Sequence, residues 1–256
     1  MKKLVFFILI FFAFGFQAQN KKTFDVGEWF KFRVHYGLIN AGYATLEVKE
    51  AVRNNKKVYH AVGKGYSTGI IDLFFKVEDN YESYFDKENG NPYQYVRKIN
   101  EGGYIKNQEG FFNQTNNTVK VKDYKHNTEK TFSFPKNTQD IVSSFYYLRN
   151  YPTIDDLKKG QSVTINMFFD NETTKFRLKY IGKENIETKF GKISAKIFRP
   201  LVQTGRVFKE NESLTLWISN DKNKIPIKIQ ANLVVGSLKA DLIEYKGLKN
   251  TLEIIK

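Results

Sequence analysis

The sequence predicts a mainly β protein, a strongly curved antiparallel sheet or open β-barrel with one central α-helix at about residues 138–150. Three observations carry this expectation. Short runs of alternating apolar and polar residues recur from one end of the chain to the other. Clusters of Asn, Asp and Gly separate them, as at 54–56, 88–92, 116–117 and 220–223, and such clusters make tight turns. Only residues 139–149 carry a convincing helical spacing, with Ile141, Val142, Phe145 and Leu148 recurring on one side.

Taken in order, residues 28–36 and 43–50 read as two strands around the turn 37–42, with Ala44, Leu46 and Val48 sharing a face. Residues 57–63 return after Asn54 and Asn55. The glycine-rich stretch 63–69 is expected to interrupt the sheet as a loop or bulge. It lacks the Gly-Lys-Ser/Thr ending of a phosphate-binding loop. Residues 70–75 make a short helical turn or run on into the next strand, 75–85. Strands at 93–99, 104–113, 118–124 and 129–134 complete the first half.

The helix comes next. Thr138 or Asp140 can cap its start, and Pro152 ends it. Its apolar side is expected to plug the curved sheet. The link at 151–160 is a candidate subdomain boundary, although one continuous β-structure bridged by the helix is preferred. Strands at 162–169, 174–181, 184–187 and 192–198 follow, and then a run of three at 213–219, 224–230 and 236–245. Pro226 places its strand at an edge or a bulge.

The first residues are Met1, Lys2 and Lys3, then an apolar run from Leu4 to Phe16 and a small-residue exit near Ala18. That is the pattern of a secretory leader over 1–19, followed by an exported domain over 20–256. The run is short for a membrane span of roughly 20 residues, and no later segment is apolar enough to span as a helix. Cysteine is absent, which excludes disulfides and a lipid-modified cysteine. The formal charge of +14 is spread along strands, as at Lys120 and Lys122 or Lys224 and Lys228, and reads as solvent-facing sheet surface. Export argues against a nucleic-acid partner. The expected location is the periplasm or the outer-membrane periphery, with full secretion as an alternative.

No catalytic constellation stands out. His35, His60 and His126 form no His-x-His or His-Glu-x-x-His pattern, so no metal site is assigned. His35 and His60, on strands expected to be neighbours, are the pair that could meet across the sheet. There is no Gly-x-Ser-x-Gly elbow, and Asp72, Glu78, Asp79, Glu82, Asp140 and Asp241 offer too many acids to select a glycosidase pair. Aromatic residues make up 16% of the chain. They fill cores, and they also line the cavities of curved sheets. Trp29, Tyr36, Tyr84 and Trp217 are therefore the candidate ligand contacts.

Three segments resemble one family. The run WFKFRVHYGLINAGYA from Trp29 to Ala44 is similar to its opening. Residues 140–149 look like its central helix. The run LTLWISNDKNKIPI from Leu214, with Gly236 to Leu242 after it, looks like its closing segment. The family is that of exported bacterial proteins called domain of unknown function 3108. The resemblance implies an exported, β-rich protein and transfers no catalytic residue and no cofactor.

The leading expectation is a non-enzymatic envelope protein that binds an apolar ligand, such as a lipid, or an envelope protein partner. The alternatives are a hydrolase acting on envelope glycan or lipid, and a structural assembly factor.

Overall fold

A computed structural model describes residues 22–202 and 214–255. The leader, and the start of the strand expected at 213, lie outside these residues. The strands are β1 (Trp29–Tyr36), β2 (Ile39–Arg53), β3 (Lys56–Ser67), β4 (Glu78–Asp86), β5 (Pro92–Glu101), β6 (Tyr104–Asn113), β7 (Thr118–Asp123), β8 (Thr128–Ser133) and the two-residue β9 (Thr138–Gln139). After the central helix come β10 (Ser162–Phe169), β11 (Glu172–Thr188), β12 (Gly191–Val202), β13 (Leu214–Ser219), β14 (Pro226–Asn232) and β15 (Ser237–Lys246). The helices are α1 (Gly69–Phe74) and α2 (Ile141–Arg149).

All the strands form one sheet in the order β8-β7-β6-β5-β4-β3-β2-β1-β15-β14-β13-β12-β11-β10-β9. Each neighbour is antiparallel except β9 on β10. Two meanders are thus joined at the middle, where β1 pairs with β15 from Trp29↔Lys246 to Tyr36↔Leu238. This central contact joins segments far apart in sequence. The two ends of the sheet approach each other through side chains. Phe168 of β10 packs against Phe112 of β6 and Phe132 of β8, with ring centroids 6.1 and 5.8 Å apart. Arg97 of β5 bonds Asp170, just beyond β10, at 2.7 Å. The result is a curved sheet rolled towards a barrel, with aromatic and ionic contacts bridging its ends.

Four local expectations need correction. Residues 63–69 do not interrupt the sheet, because β3 runs through Gly63 and Gly65 to Ser67 and pairs with both β2 and β4. A glycine in an extended strand keeps both backbone hydrogen bonds, so glycine content alone did not break the ladder. The strand expected from residue 75 begins only at Glu78 as β4, while of the two alternatives for 70–75 the helical turn holds, as α1. The strands expected at 174–181 and 184–187 are one, β11, with a register shift between Tyr180 and Gly182 absorbed as a bulge. The helix begins at Ile141, since Thr138 and Gln139 are spent on β9.

Helix α2 lies inside the curve. Asp140 is its N-cap and accepts from the Val142 and Ser143 amides, both at 2.8 Å. Ser143 Oγ returns the bond from the Asp140 amide at 2.9 Å, completing a capping box. The helix is buried on two sides because it is apolar on two sides. Towards the first meander, Val142 and Tyr146 enter a dense aromatic cluster with Phe24, Tyr59 and Phe85. Their rings lie 4.6 Å (Phe24–Tyr146) to 6.3 Å (Phe24–Phe85) apart. Towards the second meander stand Leu148, Ile154, Val163, Ile165, Leu178 and Phe198. The first space is filled by packed rings, and the second is left partly open.

Candidate functional site

The open space is a cavity of about 1020 Å³ between α2 and the concave face of β10–β14. Strand alternation builds its wall, since every second residue faces inward. Thr174, Phe176 and Leu178 come from β11, and Phe198 and Pro200 from β12. Leu214, Leu216 and Ile218 come from β13, and Ile229 from β14. The helix contributes Ile141, Ser144, Phe145 and Leu148, one face at the i, i+3, i+4, i+7 spacing. The size is at the upper end of ordinary small-molecule sites.

Charged groups stand at the two ends of this apolar wall. Near the β10–β11 turn, Asp170 pairs with Arg97 and Lys106. Burial raises the Asp170 carboxyl, but Lys106 and Arg97 overcome it and hold the group below the usual carboxylate value. At the other end, beside the C-terminus of α2, Asp155 lies 2.9 Å from Lys196 Nζ and 2.5 Å from Lys224 Nζ. Here too burial acts upwards, and Lys224 and Lys196 outweigh it. Arg149 also reaches the wall. Its charge is met by Glu28 behind it, at 2.6 and 2.8 Å.

The β13–β14 turn fixes that second end. Asp221 Oδ1 accepts from Ser219 Oγ and from the Asn223 and Lys224 amides. Asn223 is fully buried. Its side chain bonds Asn250 in both directions, and its carbonyl accepts from Arg149 Nη2 at 2.7 Å. The 220–223 segment is therefore a turn that also ties the helix end to the C-terminal tail. Pro226 opens β14 opposite Ile218, next to a register shift, so it sits at a bulge inside the sheet.

The four aromatic candidates stand apart from this cavity. Trp29 is on β1 with the Lys246 ammonium 5.1 Å from its ring, and the inward residues of that strand are Phe30 and Phe32. Tyr36 is exposed and donates to the Val235 carbonyl at 3.0 Å. Tyr84 is sandwiched between His60, stacked at 4.0 Å, and the Arg53 guanidinium at 3.6 Å. Trp217 lies between the cavity residues Leu216 and Ile218 and so points to the opposite face of β13. There it donates to Glu184 beneath the Lys228 ammonium. The structure brings no two of the four together.

His35 and His60 do not meet either, because β2 separates their strands. His35 bonds Asp241 at 2.7 Å, His60 bonds Glu82 at 2.7 Å, and His126 bonds Asp123 at 3.0 Å. Among the described residues no three His, Asp or Glu side chains group as for a metal ion. No described helix is long and apolar enough to cross a membrane.

The aromatic candidates drawn from the sequence lie outside a wall that mixes Phe145, Phe176 and Phe198 with leucines and isoleucines. The usable signal was the alternation of apolar residues at Phe176 and Leu178 on β11, Phe198 and Pro200 on β12, and Leu214, Leu216 and Ile218 on β13, three neighbouring strands with a continuous apolar face. Nothing in the sequence pairs Asp155 with Lys196 and Lys224.

The family model described as "Protein of unknown function (DUF3108)" matches residues 31–243. No curated protein matches. Among solved structures, the chain is similar to a β-barrel-like protein of domain of unknown function DUF1849 from Brucella abortus. The TM-score is 0.59 at 10% identity, over 88% of this chain and 99% of that one. That likeness shows a shared β-barrel-like fold. A DUF1089 family protein from Pseudomonas aeruginosa aligns with TM-score 0.37 at 11% identity, over 85% of this chain and 97% of that one.

Proposed function

We propose that this chain, which belongs to the DUF3108 family of proteins of unknown function, is a non-enzymatic protein of the cell envelope that holds an apolar ligand between α2 and its second meander. The carrying observation is the cavity of about 1020 Å³ with its apolar wall. The space opens to solvent, so water fills it when no guest is bound. An apolar wall favours the guest, because each buried CH₂ group gains about 0.8 kcal/mol. The envelope location rests on the leader pattern of residues 1–19.

The test is purification of the chain from its native host without detergent, followed by mass spectrometry of organic extracts. A stoichiometric apolar compound, displaced by a fluorescent fatty acid, is the expected result. Protein that carries nothing and leaves the probe unbound overturns the reading.

A second reading, docking to an envelope partner, has its own observation. Leu38, Leu73, Phe74 and Val234 are 82–104% exposed on α1 and the β1–β2 and β14–β15 turns at one end of the sheet. These turns are tied together by Asn40–Thr68 and Tyr36–Val235 bonds. Crosslinking in living cells from Leu73 and from a site on β8 separates the two readings. Adducts from Leu73 alone support docking.

A further inference from the structure

The two ends of the cavity differ in charge. Near the β10–β11 turn the wall carries Lys106, Asp170 and Glu172. Arg97 backs Asp170 at 2.7 Å, so two cations meet two anions and the charges cancel. At the α2 C-terminal end, Lys196 and Lys224 share the single carboxylate of Asp155. Both ammonium side chains are only 17–18% exposed. Arg149, the third cation there, is matched by Glu28. Asp221 in the nearby turn is taken up by the Asn223 and Lys224 amides and the Ser219 hydroxyl and does not line the wall, so among the lining residues one positive charge at this end has no matching carboxylate.

The backbone points to the same place. Eight described residues other than glycine have φ in the left-handed region, and seven of them are Asn or Asp, which tolerate it. The eighth is Lys224, at φ 49°. The position suits asparagine, and the residue that occupies it supplies an ammonium group to the cavity wall. Strained positions of this kind gather at ligand sites.

Resting on the ligand reading above, we infer that the cavity takes an amphiphile with an anionic head, a carboxylate or a phosphate monoester. The head sits between Lys196 and Lys224, and the hydrocarbon chain runs past Ile218, Phe198 and Leu216 towards Leu214. From Ser219 to Leu214 the strand covers roughly 17 Å, a length along which an extended hydrocarbon chain would lie. Charge-assisted bonds to both ammonium groups would orient the head.

Four hexadecyl probes test this by calorimetry on the purified chain: palmitate, hexadecyl phosphate, hexadecanol and hexadecyltrimethylammonium. The two anions should bind at least about tenfold more tightly than the alcohol, and the cation more weakly than the alcohol. Whichever anion binds more tightly identifies a fatty-acid or a phosphate-ester head. Lys224→Asn should remove the preference for anions and keep or raise Tm. Lys196→Met serves as the second variant should the first fail to fold. Equal binding of anion and alcohol overturns the inference and leaves the cavity reading standing, as does loss of the preference on Lys106→Met instead. Binding of no probe at all overturns both.

Discussion

Arg149 and Glu28 are joined by two parallel hydrogen bonds, Nη1 to Oε1 at 2.6 Å and Nη2 to Oε2 at 2.8 Å, with the side chains 3% and 0% exposed. The pair ties the last turn of α2 to the residue before β1, and Arg149 adds a bond to the Asn223 carbonyl. Removing one partner strands a buried charge, which costs about 3–5 kcal/mol. Arg149→Met should lose that much in urea denaturation. The double variant Glu28→Leu with Arg149→Met should recover a large part of it. A double variant less stable than either single one would show that the bonds to Asn223, and not the charge pair, dominate.

Asp140 links helix stability to pH. Burial pushes its carboxyl up from 3.8 to about 6, against the Ser83 hydroxyl and the Ser143 and Val142 amides that favour the charged form. Between those two values the folded chain binds more protons than the unfolded one. This group therefore stabilises below about pH 4 and loses that contribution as pH rises through 6. The loss is about 3 kcal/mol at most. Asp140→Asn keeps a capping side chain without the titration. Denaturation at pH 4 and pH 7 should show the variant gaining on the wild type at the higher pH; a shift the other way refutes the assignment.

Gly42 lies where β2 passes β3, in the segment that resembles the family opening. A Cβ built there would overlap the Tyr66 carbonyl oxygen and crowd Ser67 Cα. Both are backbone atoms in a paired ladder, with Gly42 opposite Ser67. Gly42→Ala should cost about 2–3 kcal/mol, read as a lowered denaturation midpoint. Gly65→Ala, with open space at its Cβ position, is the control and should stay near the wild type.

Filling the cavity should separate binding from folding. Leu216 is half-buried and faces the space. Leu216→Trp should abolish fatty-acid probe binding while leaving the β-sheet circular dichroism intact and the stability within about 1 kcal/mol or improved, since no packed neighbour has to move. Undiminished probe binding in this variant would place the ligand elsewhere.

Much of the fold was legible locally. Alternation located nearly every strand, Asn-rich turns set the hairpins, and Asp140 with the apolar spacing of α2 marked the helix. The misses had local causes as well. Glycines 63 and 65 looked like breakers and sit in a paired strand, and the break expected between residues 181 and 184 is a bulge within β11. The site was far less legible. Trp217 was singled out as an aromatic, yet the two-residue strand period turns it away from the face that Leu216 and Ile218 present to the cavity.

By itself, the sequence determined that the chain forms antiparallel strands and one capped helix, and that the 220–223 segment turns. Those outcomes depend on φ/ψ preference, side-chain period and hydrogen bonds within a few residues. Only the tertiary structure decided which face of each strand is concave. It also decided that β1 meets β15, that Arg149 finds Glu28, and that Lys196 and Lys224 converge on Asp155. These are contacts between distant segments, set by how the whole sheet curls around a helix that is apolar on two sides. The cavity follows from the same cause: Phe24, Tyr59, Phe85 and Tyr146 fill one side of α2, and the space between its other side and β10–β14 stays open.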